Sequence, residues 1–133
     1  MKFIAKNFNT FFLNRVVYID IKPEKELDEF RWTLVRRLKL FCNLKPLDYR
    51  QKFYFHATIA KHLPIFKFIR VLFWLKNNRK INFPHFVARV TLLKNGKILR
   101  EYDFLLRRPL TRKQALNRKV YSKTVSLIRN RIE

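Results

Sequence analysis

The chain has 133 residues, enough for one domain over residues 1–133, and 48% of them are hydrophobic, so it can bury a core rather than persist as a disordered basic tail. Lys and Arg number 31 against 9 Asp and Glu, a formal net charge of +22 spread along the whole sequence, which suits RNA, DNA or an anionic membrane as partner. A single glycine excludes glycine-rich phosphate loops, and a single cysteine excludes an intrachain disulfide.

In chain order, Met1 to Leu13 mixes basic and aromatic residues without a clean apolar stretch, so no secretory signal is expected and the cytoplasm is the expected location. Arg15 to Lys22 reads as a strand with Val17, Ile19 and Ile21 on one face. Pro23 suits the first turn of a helix, and Glu24 and Glu26 favour its N-terminus. Leu27, Phe30, Leu34, Leu38 and Phe41 then form an amphipathic stripe, with Cys42 at its end expected as a small buried apolar residue. Asn43 to Arg50 is a loop, and Phe53 to Ala60 is a second strand. Pro64 opens a second helix through about Leu75, apolar nearly all round and so expected to be well buried. Lys67 and Arg70 interrupt it, and it is too short to span a bilayer.

Phe86 to Leu93 reads as a third strand, Asn95-Gly96 as a hairpin turn, and Ile98 to Leu106 as the returning strand. Thr111 and Gln114 form a capping box that starts a last helix running to about Arg129. A basic helix over 111–131 would also suit a membrane surface, but RNA is the favoured partner and no membrane association is expected. The predicted order β-α-β-α-β-β-α describes an α+β domain, with a mixed or antiparallel sheet of about four strands and helices packed on it.

The chemistry centres on His56-Ala57-Thr58. Alternation along a strand puts Tyr54, His56 and Thr58 on one face, with Phe53, Phe55, Ala57 and Ile59 on the other as a core face. Making or opening an RNA 2′,3′-cyclic phosphate needs a base for one oxygen and an acid for another. Imidazole serves either role near neutral pH, and a hydroxyl two residues away can donate to a nonbridging phosphate oxygen. The pattern is short, and an ordinary strand histidine fits it as well. His62 falls in a loop. His85 is not a second copy, because Val87 stands where Ser or Thr belongs. Arg89 and Thr91 share a strand face and are candidate substrate contacts, Arg89 for phosphate oxygens. Tyr54 is a candidate for stacking on a base. Asp20 and Asp103 look isolated, and no metal-ligand spacing occurs.

The segments Asn14–Ile21, Phe53–Ala60 and Arg89–Leu99, followed by Glu101-Tyr102-Asp103 and Leu110–Leu116, resemble the 2′-5′ RNA ligase family of two-histidine (2H) phosphoesterases, in its archaeal type. The resemblance covers about residues 13–118. It implies one lobe of a bilobal fold in which each lobe gives one His-x-Thr/Ser strand to a central cleft, with His56 and Thr58 matching the second copy. It implies hydrolysis of 2′,3′-cyclic phosphates or 2′-5′ joining of RNA ends, without metal or cofactor. The first lobe would come from a separate chain or from a second copy in a homodimer. The alternative is a catalytically inactive basic RNA-binding module, or a truncated remnant of the enzyme. A missing lobe also predicts an exposed apolar patch beside the His56 strand.

Overall fold

The structure opens with a strand that the hydrophobic pattern hides. In the computed structural model, which describes residues 1–132, β1 (Lys2–Phe11) pairs antiparallel with β2 (Val16–Pro23). Asn7 interrupts β1 at φ 60°, and the register slips between Lys6 and Phe8. An extra residue of this kind reverses the alternation. Phe3 and Ala5 lie on one face before the bulge, and Phe8 and Thr10 continue that same face after it, all opposite odd-numbered residues of β2.

The chain forms two compact units, Met1–Phe86 and the part from Val87 onward, each with its own sheet. In the first unit β3 (His56–Ala60) and β4 (Asn82–Phe86) complete a four-stranded antiparallel sheet of order β3-β2-β1-β4. Pro84 is tolerated because β4 is an edge strand. Helices α1 (Lys25–Leu38) and α2 (Ile65–Asn78) serve the face carrying Val17 and Ile19. Phe8 on that face meets Trp74 of α2 edge-on at 5.8 Å, and Arg31 of α1 lies 4.2 Å over the ring of Phe53. Ala5, Val17, Leu27, Phe68 and Leu75 are the buried apolar residues here, beside Tyr18.

Both helices differ from their sequence patterns. Pro23 ends β2 instead of entering the helix, and Glu24 is the N-cap. The helix stops at Leu38, so Phe41 is 86% exposed and Cys42 is exposed as well. Past that point the chain turns into a loop that Arg31 tethers by donating to the carbonyls of Asp48 and Arg50. The stripe needed another helical turn to bring Phe41 and Cys42 inward. In α2 only Phe68 and Leu75 are buried, while Phe66 is 79% and Phe73 63% exposed. The helix packs on one side only, so one stripe of a nearly all-apolar helix is covered.

The predicted strand over 86–93 divides at Val87-Ala88. Its first residue closes β4, and the remainder opens a second antiparallel sheet of order β5-β6-β7, formed by β5 (Arg89–Lys94), β6 (Lys97–Asp103) and β7 (Arg108–Leu110). The β5–β6 turn is the expected Asn95-Gly96, with φ of 50° and 71°. A Cβ added at Gly96 would meet nothing within 4 Å, so only the backbone resists substitution. Gly96→Ala is therefore expected to cost about 1 kcal/mol in urea unfolding, with an unchanged denaturant slope. A larger loss, or a changed slope, would mean that the hairpin register had slipped.

The last helix is two. Thr111 caps α3 (Arg112–Ala115) through the expected box with Gln114. Asn117 then starts α4 (Arg118–Ile132) by accepting from the amides of Lys119 at 2.9 Å and Val120 at 3.2 Å. The described chain is thus α+β, with antiparallel sheets and four helices.

Candidate functional site

The pairing of β2 with β3 builds the site. Asp20 stands opposite His56 and Tyr18 opposite Thr58, so all four share the sheet face turned away from Val17 and Ile19. Asn9 of β1 stands opposite Tyr18, and Phe11 opposite Val16, on the same face. The β2–β3 register slips between Val17 and Tyr18, leaving Ile59 as the extra residue on β3. The predicted core face of this strand is accordingly incomplete: Ala57 is exposed, Ile59 is 55% exposed and Phe53 is 43% exposed. An edge strand with a bulge has too little beside it to cover both faces. The apolar surface expected next to the His56 strand is present in these residues.

His56 is exposed and ringed by aromatics. Tyr18 lies at 5.5 Å and Phe11 at 5.6 Å, both edge-on, and Tyr54 is stacked at 5.9 Å. Nδ1 of His56 is 3.1 Å from the carbonyl oxygen of Tyr54. A carbonyl only accepts, so Nδ1 carries the proton, and in the neutral ring the lone pair is on Nε2. Thr58 is exposed on the same face, and among the described residues no hydrogen bond engages its hydroxyl.

Behind the ring lies a polar chain. Asp20 accepts from the Tyr54 hydroxyl and from Nδ2 of Asn9 at 3.3 Å. Oδ1 of Asn9 accepts from Nη2 of Arg79 at 2.7 Å, and Arg79 also donates from Nε to the carbonyl of Phe8. The Tyr18 hydroxyl, 3.4 Å from that of Tyr54, has its pKa raised, chiefly by burial and then by the Asp20 anion, with Arg79 pulling the other way. Tyr18 thus keeps its proton throughout the neutral range and remains a donor. Sequence reasoning passed over Asn9, Phe11, Tyr18 and Arg79, and read as isolated the Asp20 that accepts from Asn9 and Tyr54. Tyr18 and Asp20 were readable, because they alternate with Val17, Ile19 and Ile21 and so had to occupy the non-core face.

Tyr54, His56 and Thr58 come together as expected, although Tyr54 precedes β3 and spends its hydroxyl on Asp20. Arg89 and Thr91 belong to the second unit, where the structure uses them otherwise. Arg89 bonds Asp103 from Nε at 2.8 Å and Glu101 from Nη1 at 2.9 Å, and Thr91 donates to Glu101 at 2.6 Å. The β5–β6 register places these partners directly opposite, which leaves the guanidinium fork committed within the protein. Asp103, read as isolated, is one of its anchors.

His62 sits in the turn after β3 at φ 52°, and His85 lies tilted against Phe3 at 5.6 Å on the sheet face opposite His56. His56 is therefore the one histidine on its face. Among the described residues, no group of three or more His, Cys, Asp or Glu is placed to hold a metal ion. No described helix is long and apolar enough to cross a membrane. Compared with protein-family models, with curated proteins and with solved structures, the chain matches none of them.

Proposed function

We propose that this chain is one lobe of a two-histidine RNA phosphoesterase related to the 2′-5′ RNA ligases, contributing His56 and Thr58 to a site completed by a second lobe. That lobe comes from a separate chain or from a second copy. In this reading Nε2 of His56 takes a proton from the water that attacks the phosphorus of a 2′,3′-cyclic phosphate. Thr58 donates to a nonbridging oxygen, and the second lobe's histidine protonates the departing ribose oxygen. Ligation runs the same steps in the same direction, with a ribose hydroxyl of a second RNA end attacking in place of water; run backwards, they cleave the joined strand.

The observation that carries the reading is the anchored ring. The bond from Nδ1 to the Tyr54 carbonyl fixes the tautomer that a general base at Nε2 requires, and Thr58 stands beside it on an exposed face. The family resemblance of the sequence supplies the substrate class, and the net charge of +22 suits RNA.

The test is turnover of an RNA ending in a 2′,3′-cyclic phosphate. Activity that rises with the square of chain concentration is expected if two copies pair. Activity that appears only on mixing is expected if a separate chain carries the unmatched His-x-Thr. The second reading, a basic RNA-binding module without catalysis, draws on the absence of a second histidine from the His56 face. It would be left standing by RNA binding that His56→Ala and Thr58→Ala do not change, with no turnover under either condition.

A further inference from the structure

A groove of about 1250 Å³ lies in the first unit, where the end of α2 and the following segment cross the bulge of β1. Its walls include Lys6, Trp74, Lys76, Arg79 and Lys80, and no carboxylate lines it. Among the described residues none of these four cations makes an ion pair. Arg79 is held rigidly by neutral acceptors, the Phe8 carbonyl and Asn9, so its charge is fixed in place without being cancelled. Trp74 is 53% exposed, with one edge against Phe8, which leaves ring surface for a ligand.

We infer that this groove is a binding site for single-stranded RNA, with Trp74 as a stacking platform and Lys6, Lys76, Arg79 and Lys80 along the phosphates. Unpaired cations beside an exposed indole are the two elements of single-strand recognition. Four asparagines also line the groove and supply amide donors and acceptors that suit nucleotides and that a lipid surface would leave unmet. Of its walls, Lys6 lies on the His56 face: it pairs with Asp20, and Asp20 with His56, so two strand spacings, about 10 Å, separate the backbones of Lys6 and His56. The choice of RNA rests on the reading of His56 given above.

The test is binding of a linear oligouridylate of about ten nucleotides, a length in the range of single-strand sites. Because the probe has no cyclic end, its result is independent of whether His56 is catalytic. In a Trp32→Phe background Trp74 is the sole tryptophan, and saturating RNA is expected to quench it. Trp74→Leu is expected to weaken binding roughly tenfold, the order of one lost base stack. Lys6→Gln, Lys76→Gln and Lys80→Gln together are expected to flatten the salt dependence by about 2 in the log–log slope, at about 0.7 per phosphate contact. All three lysines are exposed, so the fold tolerates the change.

The comparison is the triple variant Lys25→Gln, Lys39→Gln and Lys45→Gln, equal in charge and outside the groove. Equal weakening by the two triples would show that overall charge binds RNA, and would overturn the site. So would unchanged Trp74 fluorescence on RNA binding measured by anisotropy, or quenching by anionic vesicles with none by RNA.

Discussion

His56→Ala is expected to reduce turnover of a 2′,3′-cyclic phosphate by at least 100-fold once the second lobe is supplied, the usual range for a lost general acid or base. Binding of linear RNA should be unchanged. The substitution removes three ring contacts from an exposed position, so the stability cost should be about 1 kcal/mol, too little to unfold the chain. His56→Asn sharpens the test. An asparagine amide can still donate to the Tyr54 carbonyl, as Nδ1 does, but offers nothing at the position of Nε2. If His56 merely fastens the start of β3, the asparagine variant keeps its activity. If Nε2 is the base, both variants lose turnover alike. Single-turnover rates on cyclic-ended RNA decide between them, and activity in the asparagine variant would remove His56 from the chemistry.

The parts of the fold that obey one local rule were legible. The Asn95-Gly96 turn, the Thr111–Gln114 box and the strand at Val17-Ile19-Ile21 each follow from residues a few positions apart. What failed was continuity. The Asn7 bulge shifts the phase of β1, so its apolar residues fall out of step and the strand vanishes from the pattern. Phe86 to Leu93 runs unbroken in sequence but serves two sheets, because only β1 and β6 decide which part pairs with which neighbour. Asn117 restarts a helix that periodicity alone would carry through.

The candidate site divides the same way. Tyr54, His56 and Thr58 were visible because three residues on one strand share a face by geometry alone. Asp20, Asn9 and Arg79 reach that face only through cross-strand register and a contact spanning 70 residues, which no local window contains. Arg89 was misjudged for a related reason. An arginine two residues from a threonine looks like a phosphate fork until the opposite strand supplies Glu101 and Asp103. Its partners lay on a strand whose register the sequence did not reveal.

Arg89→Met is expected to destabilise the second unit by about 3–5 kcal/mol, a large part of the 5–15 kcal/mol typical of a domain. Arg89 is the cation for two carboxylates, Glu101 at 8% exposure and Asp103 at 0%, and it also donates to Thr124 of α4. Methionine fills the space but leaves both acids without a charge partner. Arg89→Lys should fall between, since an ammonium keeps the charge but lacks the fork that spans Nε and Nη1. The pH dependence identifies the source. Burial pushes the Asp103 carboxyl up, but donation by Thr124, the Leu106 amide, Arg89 and the Leu105 amide outweighs it and holds the group below its ordinary value. A depressed acid stabilises the fold above the unfolded pKa, near 4, and that stabilisation is lost as pH falls through the lower folded value. In Arg89→Met the carboxyl loses its cation and one donor, its pKa rises, and protonation begins to relieve the buried charge. The gap between parent and variant should therefore be widest at pH 7 and narrow toward pH 4 in urea unfolding. An equal gap at both pH values would assign the loss to packing around the arginine stem and remove the ion pairs as its cause.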